Sequence, residues 1–481
     1  MSLRFGTSGI RGLFGENITA EMAFKLGISI ARTFEDANRV VVGIDSRNTS
    51  PILARSILSA LESQGSDIFY AGLAPYPVIA YASREIRGVG ILITASHNPP
   101  EYNGFKIFIR GRELTSLQES LLQESRKEPI PRFDWRKKSK YTDISDSIRD
   151  DYLESLLYFI EPLEKEIEII LDGANGAAGG IATRALREIG ARVIDVNVQP
   201  DGYFPGRMPE PSEENLKDTM SLSRKLSLPA LALDGDGDRL ALIYRGSFVD
   251  QSYTAALILD EIASRKRRGK SLVVLSVDTL DVVEEVAHRY GMKTYRYKLG
   301  YLPDLVYTLY EDVMLATEPR KHMVPEYGGR YDGILSALIL AKVFEEGFEE
   351  KMNRLPRYYG IRRTYRIDPK KIDLVYMKLM HQLLSRAKEY GRKKDLIDGV
   401  KVVGDGERIL VRKSGTELGK LRLYIQARSE ERAKSFLKRL EEIIKSRGVI
   451  LNEICLSDDF CSRRRLDTRL RQRRRRSSDV C

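Results

Sequence analysis

The chain has 481 residues, of which 42% are hydrophobic and 31% charged, with a formal net charge of +11. That length exceeds one hydrophobic core and predicts about three or four domains, and the balance of apolar and charged residues excludes a fibrous or wholly disordered chain. No run of 18 or more apolar residues occurs, which excludes a membrane-spanning helix.

The charge is unevenly placed. From Arg463 to Cys481, "RRRLDTRLRQRRRRSSDVC" holds nine arginines and two aspartates; this +7 leaves only +4 on the other 462 residues. Such a body suits an anionic small molecule, and nucleic acid is not expected beyond a weak contribution of the tail. The tail lacks periodic apolar residues and is expected to be disordered. Cys455, Cys461 and Cys481 all lie in the last 27 residues, leaving no disulfide staple for the body. With no apolar stretch in "MSLRFGTSGIRG", cytoplasm is the expected location.

In chain order, "GTSGIRG" (Gly6 to Gly12) has glycines that let backbone approach a ligand, before a helix starting near Thr19. "RVVVGID" from Arg39 reads as a buried strand, and "SPILARSILSALESQG" as an amphipathic helix closed by glycine. "GVGILITAS" is a strand running into "TASHNPPEYNGFK". Residues 125–143, basic and proline-bearing, read as a linker in which Trp135 is expected to anchor packing. "IEIILDGANG", "AAGGIATRALREIG" and "ARVIDVNV" give strand, helix, strand, and "PALALDGDGDRLALIY" places two strands around an acidic loop. "KSLVVLSVD", "DVVEEVAHRYG" and "KTYRYKLG" repeat that order. Junctions are expected near Arg245 to Asp250 and near "NRLPRYYGIRRTYRID", beyond which strand, strand, loop, strand and helix follow; no short-period repeat is visible. The alternation predicts α/β layers of largely parallel strands.

The sharpest local signal is "DGDGDR". Asp234, Asp236 and Asp238 at alternate positions project to one side of a curled backbone, and three hard oxygen ligands suit Mg²⁺. An EF-hand is excluded, because its sixth and twelfth positions would be Arg239 and Arg245. "VRKSGTELGKLR" offers Arg412, Ser414, Gly415, Thr416 and Arg422 to an anion, or equally makes a basic hairpin turn. "TEPRKH" places Glu318 and His322 where they grip sugar hydroxyls or are simply solvated. No Gly-x-Ser-x-Gly elbow surrounds Ser96, which disfavours a hydrolase triad.

Together and in this order, "GTSGIRG", "TASHNPPEYNGFK", "LDGANGAAG" with "PDGYFPGRMPEPSEENL", "DGDGDR", "TEPRKH" and "RKSGTE" resemble the α-D-phosphohexomutase family over about residues 3–450. The resemblance implies a four-domain enzyme around a central cleft. Three α/β domains with mixed sheets would span 1–145, 146–248 and 249–356, a smaller α+β domain 357–455, and the tail 456–481. It implies that Ser96 carries a phosphoryl group and binds Mg²⁺ with Asp234, Asp236 and Asp238. Arg11, His97 and Lys106 would surround the reacting oxygen, with Arg239 neutralising charge beside the metal. Glu318 and His322 would recognise the sugar, and Arg412, Ser414, Gly415, Thr416 and Arg422 the distant phosphate.

The implied reaction interconverts hexose 1-phosphate and 6-phosphate of glucose or mannose through a hexose 1,6-bisphosphate, which also serves as activator. Phosphoglucosamine mutase, a serine phosphatase and a non-catalytic sugar-phosphate binder are the alternatives, and homodimerisation is left open. The family's sugar loop commonly reads Gly-Glu-x-Ser-Gly-His; here Thr317, Arg320 and Lys321 replace the first Gly, the Ser and the second Gly.

Overall fold

The computed structural model describes residues 9–265, 270–389, 393–404, 406–413, 419–445 and 450–454. Its first sheet has seven strands, in the order Ile10–Leu13, Tyr102–Ile109, Val89–Ile93, Arg39–Ile44, Asp67–Leu73 and Tyr141–Asp143, with Arg112–Glu113 paired to Tyr102–Ile109. The apolar runs VVV and ILI are covered on both faces and so lack polar alternation. The helix Ala20–Thr33 starts where the Thr19 hydroxyl accepts from the Met22 N–H and buries Met22, Ala23, Leu26 and Ile30 along one stripe.

The second sheet runs Ser247–Val249, Leu240–Tyr244, Pro229–Leu233, Glu168–Asp172 and Arg192–Val196. The third runs Lys293–Tyr297, Leu272–Ser276, Val313–Glu318 and Lys321–Met323. One topology recurs in all three sheets. A central strand pairs in parallel with the next strand on one side and the third on the other, and the third then turns back into an antiparallel fourth. The turn from third to fourth strand is residues 94–101 in the first sheet, 234–239 in the second and 319–320 in the third. Those three turns meet.

The fourth sheet is antiparallel throughout, in the order Lys393–Asp395, Val400–Gly404, Glu407–Lys413, Lys420–Ala427, Tyr359–Ile367 and Ile450–Ile454. The helices Ile372–Glu389 and Glu430–Lys445 pack on it. One apolar cluster runs through the first three layers, from Val41 and Tyr76 through Leu233 to Leu315, beside separate clusters around Val40 and Ile91 in the first and Ile170 and Ile243 in the second; the fourth sheet shares none of these and has its own around Tyr365, Leu379 and Leu423. This is the three α/β plus one α+β arrangement expected from the motifs. Trp135 differs from expectation. It is 91% exposed, and the aromatic contacts of the 125–143 stretch come from Phe133, whose ring meets Phe24 edge-on at 6.3 Å, and from Tyr141, stacked on Tyr70 at 6.2 Å. Among the described residues no helix is long and apolar enough to cross a membrane.

Candidate active site

Val89–Ile93 delivers the chain into the first turn, where the Ser96 N–H donates to Thr94 Oγ1 at 2.8 Å. Ser96 adopts φ +51°, the left-handed region that a non-glycine residue enters only when its surroundings hold it there. Fully buried, it donates its hydroxyl to Asp234 Oδ2 at 2.7 Å, and its Oγ lies 3.3 Å from His97 Nδ1. The two turns touch through backbone. A Cβ on Gly235 would stand 2.6 Å from the Ser96 carbonyl oxygen, so only glycine permits this approach, while Gly237 at φ +77° completes the curl of the acidic loop.

Asp234, Asp236 and Asp238 are completely buried, and each presents a carboxylate oxygen within 4.8 Å of the others. Burial together with Asp236 and Asp238 pushes the Asp234 carboxyl well above the usual carboxylate range. Burial would do the same to Asp238, but Lys106, Lys321 and Arg239 hold it well below that range. Lys106, on strand Tyr102–Ile109, reaches Asp236 Oδ2 at 2.8 Å and Asp238 Oδ2 at 2.5 Å. The opposite oxygens, Asp236 Oδ1 and Asp238 Oδ1, are buried without a hydrogen-bond partner. Two bare carboxylate oxygens beside a third carboxylate and a serine hydroxyl form a hard-oxygen set that fits a divalent cation such as Mg²⁺.

Cations ring this centre. Arg11 Nη1 lies 3.3 Å from Asn98 Oδ1 and 3.4 Å from His97 Nδ1. Burial pushes the Arg11 guanidinium down and the His97 imidazolium well down, so His97 is neutral near pH 7 although its side chain is 27% exposed. Arg239 donates to both oxygens of Glu210, at 3.0 and 2.7 Å, and Arg320 Nη2 to Glu210 Oε1 at 2.6 Å. His97 Nε2 completes that cluster at 3.6 Å from Glu210 Oε2. Burial would raise the Glu210 carboxyl, but Arg239 and Arg320 outweigh it and hold Glu210 below the usual range.

The third turn is tighter and drier than a solvated loop. Glu318 ends one strand and His322 lies in the next, both buried. Burial pushes the Glu318 carboxyl up to about 7, against Lys321 and the Gly300 N–H, which donates to it at 2.6 Å. Burial lowers His322 to about 3; its Nδ1 meets Thr317 Oγ1 at 3.0 Å and its buried Nε2 has no partner. The two added cations of this turn face inward. Arg320 is held by Glu210, and Lys321 reaches Asp238 Oδ2 at 2.6 Å with its ammonium 4.9 Å from the Tyr331 ring centroid.

Arg412 and Arg422 stand opposite one another on adjacent strands of the fourth sheet, and Arg412 Nη2 lies 3.2 Å from Asp398 Oδ2. Asp398 also accepts from the Leu299 N–H at 3.1 Å, next to the Gly300 that holds Glu318. Ser414, Gly415 and Thr416 lie outside the described residues.

Family models described as phosphoglucomutase/phosphomannomutase alpha/beta/alpha domain I, alpha/beta/alpha domain II and C-terminal domain match residues 2–129, 150–247 and 376–443. A phosphoglucomutase/phosphomannomutase of Thermococcus kodakarensis is 32% identical over 471 residues, covering 92% of this chain and 100% of that one. The chain belongs to the phosphoglucomutase/phosphomannomutase family.

As a member of the phosphohexomutase superfamily it is a mutase, an isomerase that works by phosphoryl transfer. A phosphopentomutase of the same organism is 34% identical over 439 residues, covering 89% of this chain and 94% of that one. A probable phosphoglucosamine mutase of Methanopyrus kandleri is 32% identical over 453 residues, covering 92% and 98%. The phosphohexomutase fold is shared with a phosphoglucomutase/phosphomannomutase family protein from Burkholderia thailandensis, at TM-score 0.80 and 23% identity over 94% of this chain and 99% of that one.

Within this mutase two residues that motif reading left without a role stand at the centre. Glu210, inside "RMPEPSEENL", gathers Arg239, Arg320 and the neutral His97 from three separate segments, and Arg47 lies beneath the Ser96 turn. Their partners are distant in sequence. The only local signals were a carboxylate between two prolines and an arginine two positions after Asp45.

Proposed function

We propose that the chain interconverts the 1-phosphate and 6-phosphate of an aldohexose, glucose or mannose, with Ser96 as the phosphoryl carrier and a hexose 1,6-bisphosphate as intermediate. The observation that carries this reading is the Ser96 hydroxyl 2.7 Å from Asp234, in an acidic triplet that keeps two buried carboxylate oxygens bare. In the first half-reaction the Oγ–P bond of phosphoserine breaks and a bond from phosphorus to the sugar hydroxyl oxygen forms, while the hydroxyl proton ends on Ser96 Oγ. The bisphosphate turns over within the cleft, and the second half-reaction runs the same exchange backwards with its other phosphate.

Asp234, Asp236, Asp238 and Ser96 would hold Mg²⁺, which when bound supplies electrostatic polarisation of the phosphoryl group. Asp234 Oδ2 and the Nδ1 of neutral His97 are the two proton acceptors facing Ser96 Oγ. Lys106 holds Oδ2 of both Asp236 and Asp238, which leaves their Oδ1 atoms without a hydrogen bond, the Asp238 one 3.9 Å from Arg239 Nε. Arg11 and Arg239 supply positive charge to the transferring group. Glu318 and the unpartnered His322 Nε2 would accept and donate hydrogen bonds with sugar hydroxyls. Arg412 and Arg422, with Ser414, Gly415 and Thr416, would anchor the phosphate that is not reacting.

A second reading has an observation behind it. Arg320 and Lys321 fill a turn where the family pattern has small residues, and a phosphopentomutase is among the relatives, which supports a shorter pentose phosphate moved between positions 1 and 5. Intact-mass analysis tests the chemistry. A phosphate adduct on Ser96 that exchanges with added sugar phosphate, and loss of all turnover in Ser96→Ala, are expected; turnover by Ser96→Ala near that of the unaltered protein refutes the role of Ser96. Initial rates with glucose, mannose, glucosamine and ribose 1-phosphates then decide the sugar.

A further inference from the structure

We infer that Arg47 is the positioning residue that aims Ser96 at the acidic triplet. This rests on the reading of Ser96 as phosphoryl carrier. Arg47 is 1% exposed, and its guanidinium has five N–H groups, each with a partner. Nε donates to Asp45 Oδ2 at 3.0 Å. Nη1 donates to the carbonyls of Pro99 and Tyr102 at 2.5 and 2.9 Å, and Nη2 to those of Ser96 and Asn98 at 2.9 and 2.6 Å. Four carbonyls of one seven-residue turn thus converge on a single side chain, including the carbonyl of the reacting residue itself.

A rigid planar fork imposes geometry that a flexible ammonium cannot, because its donor directions are fixed relative to one another. The other ties of the turn, Ser96 N–H to Thr94 Oγ1, Arg11 to Asn98 Oδ1 and the Phe14 N–H to Glu101 O, each hold one point of it, whereas Arg47 holds four. Within it the backbone bonds are Asn98 N–H to Ala95 O and Tyr102 N–H to Pro99 O, and Ser96 sits at positive φ. Arg47 is in turn fixed from below and above. Asp45 Oδ1 accepts from the Arg47 N–H at 3.0 Å and from Ser50 Oγ at 2.7 Å, which orients the carboxylate. The Phe204 ring, from the loop between the second-sheet strand Arg192–Val196 and Glu210, covers the guanidinium at 5.0 Å. Arg47 therefore joins the Ser96 turn to the segment that carries Glu210, and both reach the triplet in register.

The test is Arg47→Lys in the full chain, assayed with glucose 1-phosphate, Mg²⁺ and glucose 1,6-bisphosphate. The expected result is a fall of about 100-fold in kcat, the cost of about 1 Å of misplacement at a reacting atom, with KM within threefold, because the sugar and distant-phosphate residues lie on other turns. Amide hydrogen exchange should rise in residues 96–102 and stay unchanged in 234–239. Asp45→Asn with Arg47→Met, which removes the buried charge pair together, is expected to give the same loss of kcat and is the comparison if Arg47→Lys does not fold. A kcat per folded molecule within threefold of the unaltered protein in either variant overturns the inference, as does faster exchange spread evenly over the first sheet. Absence of a Ser96 adduct in the unaltered protein would instead refute the reading of Ser96 itself.

Discussion

Glu318→Gln isolates the energetic cost of the buried carboxyl in the sugar turn. Burial raises that group from an ordinary 4.5 to about 7, so between those values the folded protein keeps a proton that the unfolded chain has lost. Stability contributed by the protonated form therefore declines as pH rises from about 4.5 and is lost above about 7. At about 1.4 kcal/mol per pH unit, the difference between 4.5 and about 7 amounts to about 3 kcal/mol. Gln carries no charge at any pH, so the variant should be more stable than the unaltered protein by about 3 kcal/mol at pH 8 and by less than about 1 kcal/mol at pH 5. Urea unfolding at the two pH values measures this, and kcat/KM measured alongside should fall, since Gln presents one acceptor instead of two. An equal stability difference at pH 5 and pH 8 would refute the assignment of a raised carboxyl.

The triplet and the inward-facing lysine offer further tests. Asp238→Asn leaves Lys106 and Lys321 buried with one carboxylate fewer, so it should cost about 3 kcal/mol of stability in urea unfolding and weaken Mn²⁺ binding at least 100-fold by electron paramagnetic resonance titration; an unshifted unfolding midpoint counts against the buried pairing. Lys321→Met removes a positive charge 2.6 Å from Asp238, so Mn²⁺ should bind about tenfold more tightly while KM for the sugar phosphate rises; weaker Mn²⁺ binding contradicts that electrostatic account. His322→Gln replaces the buried ring whose Nε2 has no partner and should raise KM at least tenfold, while the shape of the kcat/KM profile between pH 5 and pH 8 stays that of the unaltered protein, because burial already keeps the ring neutral down to about 3; loss of an inflection in that range would contradict it.

What could be read from the sequence was local. The Asp-Gly repeat announces converging carboxylates because spacing and glycine freedom both act within six residues, and the runs VVV and ILI declare covered strands for the same reason. Arg320 and Lys321 show the limit. As letters they are two cations added to a substrate loop, whereas in the fold both are consumed by Glu210 and Asp238, partners 110 and 83 positions earlier in the chain. Arg47 was illegible because four of its five acceptors are backbone carbonyls 49 to 55 residues away, which no side-chain pattern records. The recurrent topology escaped notice because the three sheets share strand order rather than residues. Trp135 looked like an anchor as the one tryptophan of the chain, yet it is exposed, and the ring contacts of its stretch are made by Phe133 with Phe24 and Tyr141 with Tyr70.

The continuity of apolar packing through the first three sheets, and its interruption before the fourth, sets how the molecule comes apart. Residues of Val41, Leu233 and Leu315 share one cluster, so heat or denaturant should dismantle those three layers in a single cooperative event. The layer built around Tyr365 and Leu423 melts on its own terms, tied to its neighbour mainly by polar clasps such as Gln426 with Asp281 and Arg408 with the Thr279 carbonyl. The layer that carries Arg412 and Arg422 can thereby loosen while Asp234, Asp236 and Asp238 stay assembled.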